Sequence, residues 1–481
     1  MSGGPAEELV AAGYAWEIAD APWLHQALGL ADLAHCVELA DRGILPDRVR
    51  GPLLGALLDL AAMPADAVGY DPRYGEPYVS RERHLLERIG EEAGWLRAGR
   101  TRREAVRTAF RIRVRGQILD LVEAACALAA TLAGQAERHA GTLMPDYTYL
   151  QQAQPTTFGH YLLSFADPVL RDAVRLLAEF GHVNAGLAGA GAANGSPILD
   201  DREAAARALG FDRAITHTRD AMWQTDPFMH VLAAATSLLL TQDKLAEDLE
   251  IFAGAEFGFV ALAEAYARPS VAMPQKRNPY SLAVIRGSAG VMLGRLTGLT
   301  AVIKTPSARS DNLIYLYGEL PRSLDLAHRA TRLTTGVIRT LETDPARMRQ
   351  ALEAGFTQAA DLAELLMRRF HLDYRTAHRV VQHAVQHEAA LDAEAIARAA
   401  AAVTGDRLQF DDAELQACLT PEALVGSRTG LGGAAPSAMT PMIKGVREQA
   451  AELNAEAAAR RAALHAAEEA IRARARSLAG R

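Results

Sequence analysis

An all-α fold is what this chain predicts, and three observations carry the expectation. Alanine, leucine, arginine and glutamate dominate the composition, and all four are strong helix formers. Runs of β-branched or aromatic residues with period two are scarce. Several long segments keep a helical apolar repeat without a breaker. At 481 residues the chain exceeds one ordinary core, so several domains or one elongated helical assembly is expected.

The elements follow in order. Short helices separated by Pro and Gly fill the first hundred or so residues. A long helix then spans Arg103 to Ala140, with Gly116 inside it. The clearest helix runs from Phe228 to Phe252 without Gly or Pro. In it Leu238, Leu245, Leu249 and Phe252 recur at helical spacing, with Asp243, Glu247 and Glu250 between them. Another runs from Tyr280 to about Lys304. Helices of this length pack side by side as a bundle. Soft boundaries near residue 105 and at Asp344-Pro345 give an N-terminal helical domain (1–105), a central long-helix bundle (106–350) and a C-terminal helical domain (351–481). The stretch from Ala450 to Arg481 reads as a solvated terminal helix, and no internal repeat is evident.

Charge and cysteine usage narrow the class. A net charge of −7, with arginines spread along the whole chain, argues against nucleic acid as a partner. Three scattered cysteines (Cys36, Cys126, Cys418) suit reduced thiols. The N-terminal residues carry no signal-peptide pattern, and no uncharged apolar stretch of spanning length is read, so no membrane partner and a cytoplasmic location are expected.

Four polar segments fall beside the long helices. Ser270-Val-Ala-Met-Pro-Gln-Lys-Arg-Asn-Pro279 sets a hydroxyl six residues before Lys276 and an amide two residues after it. Its prolines predict a shaped loop rather than an extended element. Lys276 is one of only four lysines against 47 arginines, which suggests that a compact ammonium is wanted there. Gly99 to Glu104 combines arginines with a helix start and suits an anion, or equally a solvated basic turn. Thr148 to His160 is dense in hydrogen-bonding side chains, of which Thr156 and Thr157 also fit simple capping. Ser427 to Pro436 is a glycine-rich turn. Gly189-Ala-Gly191 resembles part of a dinucleotide fingerprint but follows no strand. His383 and His387 share a helical face with no further ligand at metal spacing, so a solvated face is the better reading.

Taken in chain order, these segments resemble the argininosuccinate lyase branch of the fumarase/aspartase superfamily. Met273-Pro-Gln-Lys-Arg-Asn-Pro279 matches that family's loop, Gly-Ser-Ser-x-Met-Pro-x-Lys-x-Asn-Pro. Thr148 to His160 matches its middle segment at all positions but one, and Leu245–Leu249, Glu256–Phe259, Ser427–Thr429 and Gly432–Gly433 are also similar. The resemblance implies three helical domains whose long helices pair into a twenty-helix core in a homotetramer, with each active site shared between subunits. It implies no cofactor and no metal. The implied reaction is anti elimination from a small dicarboxylate-type (succinyl) substrate to fumarate, through a carbanion held as an aci-carboxylate.

Carried over by position, Ser270 stands where the family has its general base, and Lys276 and Asn278 stand where the charged carboxylate is held. Thr101, Arg102 and Thr148 match positions that bind the four-carbon unit, with Gln151 and Arg286 as further contacts. The departures are specific. Tyr149 replaces the His that supports general-acid catalysis, and Ala283 replaces its acidic partner. Arg103 and Arg81 each replace an Asn, which would add positive charge for a further carboxylate, a nitro group or another anion. The Tyr, Gln and Lys that grasp an arginine moiety find no counterparts in Ser307-Ala-Arg-Ser-Asp-Asn312. Cleavage of argininosuccinate itself is therefore not expected. The expectation is a C–N lyase acting on an N-substituted aspartate or succinyl-type substrate, or adding to fumarate in reverse, in specialised biosynthesis. Elimination of nitrite or water, and a non-catalytic structural relative, are the alternatives.

Overall fold

The computed structural model describes residues 4–306, 313–388 and 391–481. An N-terminal group includes α1 (Ala21–Asp41), α2 (Asp47–Ala62) and α3 (Pro77–Ile89). The body is built on α4 (Arg102–Arg138), followed by the hairpin β1 (Leu143–Thr148) and β2 (Gln151–Thr157) and by α5 (Ala166–Val183). Next come α6 (Asp226–Phe252), the strand pair β3 (Arg268–Pro269) and β4 (Arg277–Asn278), α7 (Tyr280–Ile303) and α8 (Ile314–Arg339). After α9 (Pro345–Glu353) and a small helical cluster, the chain closes with α10 (Pro436–Ala479).

Helix α4 organises the rest. Thr101 caps it by accepting the Glu104 N–H at 3.2 Å. Its 37 residues span about 55 Å. Arg107, Arg111 and Arg115 repeat every four residues along one face and are all buried. Arg107 donates to the Tyr317 hydroxyl at 3.1 Å, Arg111 to the His182 and Val183 carbonyls at 3.1 Å, and Arg115 to Asn184 Oδ1 at 2.9 Å. Each guanidinium thus replaces lost water with fixed acceptors and pins a neighbouring element to α4. An 18-residue window of α4 is long and apolar enough to cross a membrane by length and composition, although no uncharged stretch of that length occurs in it. Neighbouring helices bury 67% of that window, which marks it as a core helix.

Side-chain contacts fix the helix directions. Gln117 donates to the Pro321 carbonyl and Gln135 to that of Ile338, both at 2.9 Å, so α4 and α8 run parallel. Phe110 lies 4.8 Å from Phe228 ring to ring, and further along Gln242 donates to Thr331 Oγ1 at 2.9 Å, which together set α6 parallel to them. Ion pairs Arg447–Glu137 (2.6 Å) and Arg461–Asp120 (2.8 Å) show α10 returning antiparallel along α4. The terminal helix therefore starts earlier than Ala450 and is not simply solvated. It contributes Met439, Ile443, Val446, Ala450, Ala457, Ile471 and Ala475 to the main core. Residues from Leu362 to Leu419 form a second, smaller core of their own.

The bundle therefore has two ends. Near the start of α4 lie the N-terminal helices; near the C-terminal ends of α4, α6 and α8 lie the β1–β2 hairpin and the proline loop.

Candidate active site

At the far end of α4, the polar segment from Thr148 is a hairpin rather than an open loop, with Thr148 paired to Gln151. Its two turn residues, Tyr149 (φ 53°) and Leu150 (φ 57°), are both left-handed. That is the geometry of a type I′ turn, where Asn-Gly is usual and L-residues with large side chains are strained by about 1–2 kcal/mol each. The strain is sustained because both strands are anchored. Tyr147 packs against Phe252, Phe257 and Phe259, and Gln152 donates to the Ala351 carbonyl at 2.9 Å. At the base, His160 sits 3.1 Å from Thr156 Oγ1 and 2.9 Å from the Gly432 carbonyl, which joins the Ser427–Pro436 turn to the hairpin. Tyr149 is held at the tip, 100% exposed in the single chain. Beneath the tip, Leu150 and Gln151 line an open cavity of about 720 Å³ together with Glu256, Arg347 and Phe356.

The proline loop sits at the same end. Contrary to the expectation of no extended structure, Arg268 and Pro269 pair with Asn278 and Arg277 to form its stem. Above the stem the Ser270 N–H donates to the Lys276 carbonyl and the Lys276 N–H to the Met273 carbonyl, each at 3.0 Å. Ser270 Oγ accepts the Met273 N–H at 3.1 Å, and Asn278 Nδ2 donates to the Arg268 carbonyl at 3.1 Å. Residues 271–277 are exposed, and among the described residues the Lys276 ammonium has no carboxylate within ion-pair distance. Arg286, two turns into α7, is different: Glu250 (2.8 Å), Glu247 (3.3 Å) and Asp243 (3.6 Å) surround it. Three carboxylates around one guanidinium leave no net positive charge there to draw a further anion.

The remaining residues lie near the start of α4. Thr101 Oγ1, besides capping the helix, donates to the Gly191 carbonyl at 3.2 Å. Glu104 is buried and accepts the Gly189 and Gly191 N–H groups at 2.8 and 2.7 Å. The glycine turn that resembled a nucleotide fingerprint is thus used inside the protein. Burial pushes the Glu104 carboxyl up to about 7, against the two N–H groups and Arg100, which favour its ionised form. Because the folded value exceeds the ordinary 4.5, the contribution to stability is full below about 4.5 and is lost as pH rises through about 7. Unfolding free energies from urea titrations between pH 4.5 and 7.5 should therefore fall more for the wild type than for Glu104→Gln, by about 3 kcal/mol over the window.

Arg81 requires a correction. It was expected to add charge for substrate, yet it is 0% exposed. Its Nε and Nη2 lie 3.2 and 3.0 Å from Asp32 Oδ2, while Arg100 takes Asp32 Oδ1 at 2.7 Å. It is a buried strut of the N-terminal helices. Arg103 is likewise offset, by Glu76 at 3.1 Å and Glu17 at 3.6 Å. The Ser307–Asn312 segment lies outside the described residues.

The named residues thus form two groups in one chain: Thr101, Arg102 and Arg103 at one end, and Thr148, Tyr149, Gln151, Ser270, Lys276 and Asn278 at the other. From Thr101 to His139 the helix runs about 57 Å, and nine extended residues from there to Thr148 recover at most about 32 Å. The two threonines are then no closer than about 25 Å within a chain. The acidic partners of these arginines, Asp32, Glu76 and Glu17, were not recognised from sequence. A signal existed for Asp32, a lone carboxylate inside the apolar run from Ala27 to Ala34, because such a group demands a buried partner.

Comparison with known proteins agrees with this architecture. The family described as Lyase matches residues 74–294. The argininosuccinate lyase of Methanoculleus marisnigri is 35% identical over 426 residues, covering 88% of this chain and 86% of that protein. That of Natronomonas pharaonis is 34% identical over 466 residues, covering 96% and 91%. Among solved structures, an EDDS lyase variant with bound fumarate superposes with a TM-score of 0.87 at 27% identity, covering 100% of this chain and 97% of that one. With its all-α bundle and the Ser270–Asn278 loop, the chain belongs to the argininosuccinate lyase branch of the fumarase/aspartase superfamily and is a lyase.

Proposed function

We propose that this lyase catalyses anti β-elimination at a C–N bond of an N-substituted aspartate or succinyl-type substrate, giving fumarate, or the reverse addition. The proline loop carries the reading. It sets a hydroxyl (Ser270), an ammonium with no acidic partner among the described residues (Lys276) and a carboxamide (Asn278) on one small exposed hairpin. Ser270 Oγ, acting as its alkoxide, takes the proton from the carbon next to the substrate carboxylate and becomes the neutral hydroxyl. Lys276 and Asn278 hold the negative charge that builds on that carboxylate, where preorganised donors act most strongly. The electron pair then forms the double bond as nitrogen leaves.

Tyr149 and Ala283 stand where the family has an acid and its partner, so the leaving amine departs already protonated and the tyrosine orients rather than donates. Tyr149→Phe is accordingly expected to reduce kcat by less than about 10-fold. A loss of several orders of magnitude in a fumarate absorbance assay would contradict this. Internal neutralisation of Arg81 and Arg103 supports an amine over an anionic leaving group such as nitrite.

Completing the site requires other copies of the chain, because its two groups are so far apart within one. Helix α7 offers a surface for them. Val284, Gly287, Val291, Gly294 and Gly298 fall at helical spacing on an exposed, uncharged face. A homotetramer with sites shared between subunits fits this arrangement. The test is incubation with fumarate and a panel of amines while following absorbance of the double bond. Absence of turnover in both directions, together with absence of fumarate binding, would sink the reading.

A further inference from the structure

Glu76 has no role in the reaction outlined above, yet it is placed as if it had one. It is 2% exposed and precedes Pro77, the first residue of α3. It stands at the N-cap of that helix, but its side chain makes no capping bond. It turns instead to the start of α4, where Oε1 lies 3.1 Å from Arg102 Nε and Oε2 lies 3.1 Å from Arg103 Nη1. Neither oxygen completes a hydrogen bond of good geometry, although both are buried. Such a carboxylate is costly to desolvate, and the two guanidinium groups are what offset it.

The contact to Arg102 is made through Nε, and the Arg102 side chain remains 51% exposed. Held at the root of the guanidinium, the side chain presents its two terminal Nη groups outward. That pair matches both oxygens of a carboxylate. We infer that Glu76 is a positioning residue that fixes the Arg102 fork for one carboxylate of the four-carbon unit. This rests on the reading of Arg102 as a substrate contact given above. The same carboxylate also offsets the charge of Arg103, so the site gains aim without a second free cation.

Two effects oppose each other when Glu76 is changed. Loss of the anchor lets the long Arg102 side chain wander, and re-ordering it weakens binding by about 10-fold. Loss of a negative charge near a dianionic ligand strengthens binding instead. The anchor is a direct contact, whereas the half-exposed end of Arg102 faces screening solvent, so anchoring is expected to win. Calorimetric titration of fumarate into the full-length wild type, Glu76→Ala and Glu76→Gln decides it, with thermal melting of each to establish the folded fraction. Glu76→Ala should weaken fumarate binding about 10-fold per folded site. Glu76→Gln should fall between it and wild type, because the amide keeps the shape and a partial negative oxygen against Nε but loses the charge. Unchanged or tighter binding in Glu76→Ala overturns the inference, as does weakening fully accounted for by unfolded protein. A wild type that binds no fumarate overturns the reading of the site itself, and this inference with it.

Discussion

Ser270→Ala is expected to lower kcat/KM by about 10³-fold or more while leaving the fold intact. General-base removal in a positioned site costs about 10²–10⁴-fold, and here no neighbouring side chain on the loop can substitute for the hydroxyl. The structural loss is small. Ser270 Oγ accepts one backbone N–H, from Met273, in a loop open to solvent. The stem is held by other bonds, including that from the Ser270 N–H to the Lys276 carbonyl, which alanine keeps. Melting temperature and fumarate affinity should therefore match wild type when turnover has collapsed. Turnover equal to wild type would remove Ser270 as the base.

Arg81→Ala should do the reverse. Both Arg81 and Asp32 are 0% exposed, and the Asp32 carboxylate is shared between Arg81 and Arg100. Removing one partner of a buried pair destabilises by about 3–5 kcal/mol, since the remaining charge is left undersolvated. In a chain where burial of α1 against α4 depends on this cluster, that loss should appear as a lower urea midpoint and poor recovery of soluble protein. Fumarate affinity per folded molecule should not change. A variant that folds normally but loses affinity would return Arg81 to the substrate site.

These two residues illustrate what could be read from the chain. The loop was legible because its chemistry is local: hydroxyl, ammonium and carboxamide lie within nine residues between prolines. The long helices were legible for the same reason. Apolar spacing and breakers located α4, α6 and α7 within a few residues, and Thr101 at the start of α4 is an ordinary cap. Arg81 was misread because its partner is 49 residues away, and nothing local distinguishes a buried guanidinium from a ligand contact. The hairpin escaped because its turn is Tyr149-Leu150, and without Asn or Gly there is no chemical sign that the backbone reverses. The tail beyond Ala450 looked solvated because small alanines supply its buried face, and alanine at helical spacing carries little contrast with the exposed face.

The turn at Tyr149-Leu150 also restricts what evolution can install at the hairpin tip. A backbone with φ near +53° admits side chains with an unbranched β-carbon at moderate strain and strongly disfavours valine, isoleucine and threonine. Tyrosine and histidine both pass that filter. An exchange between them alters proton affinity, reach and polarity at the tip without asking the main chain to move. The hairpin therefore works as a socket of fixed geometry, in which leaving-group chemistry can drift one substitution at a time.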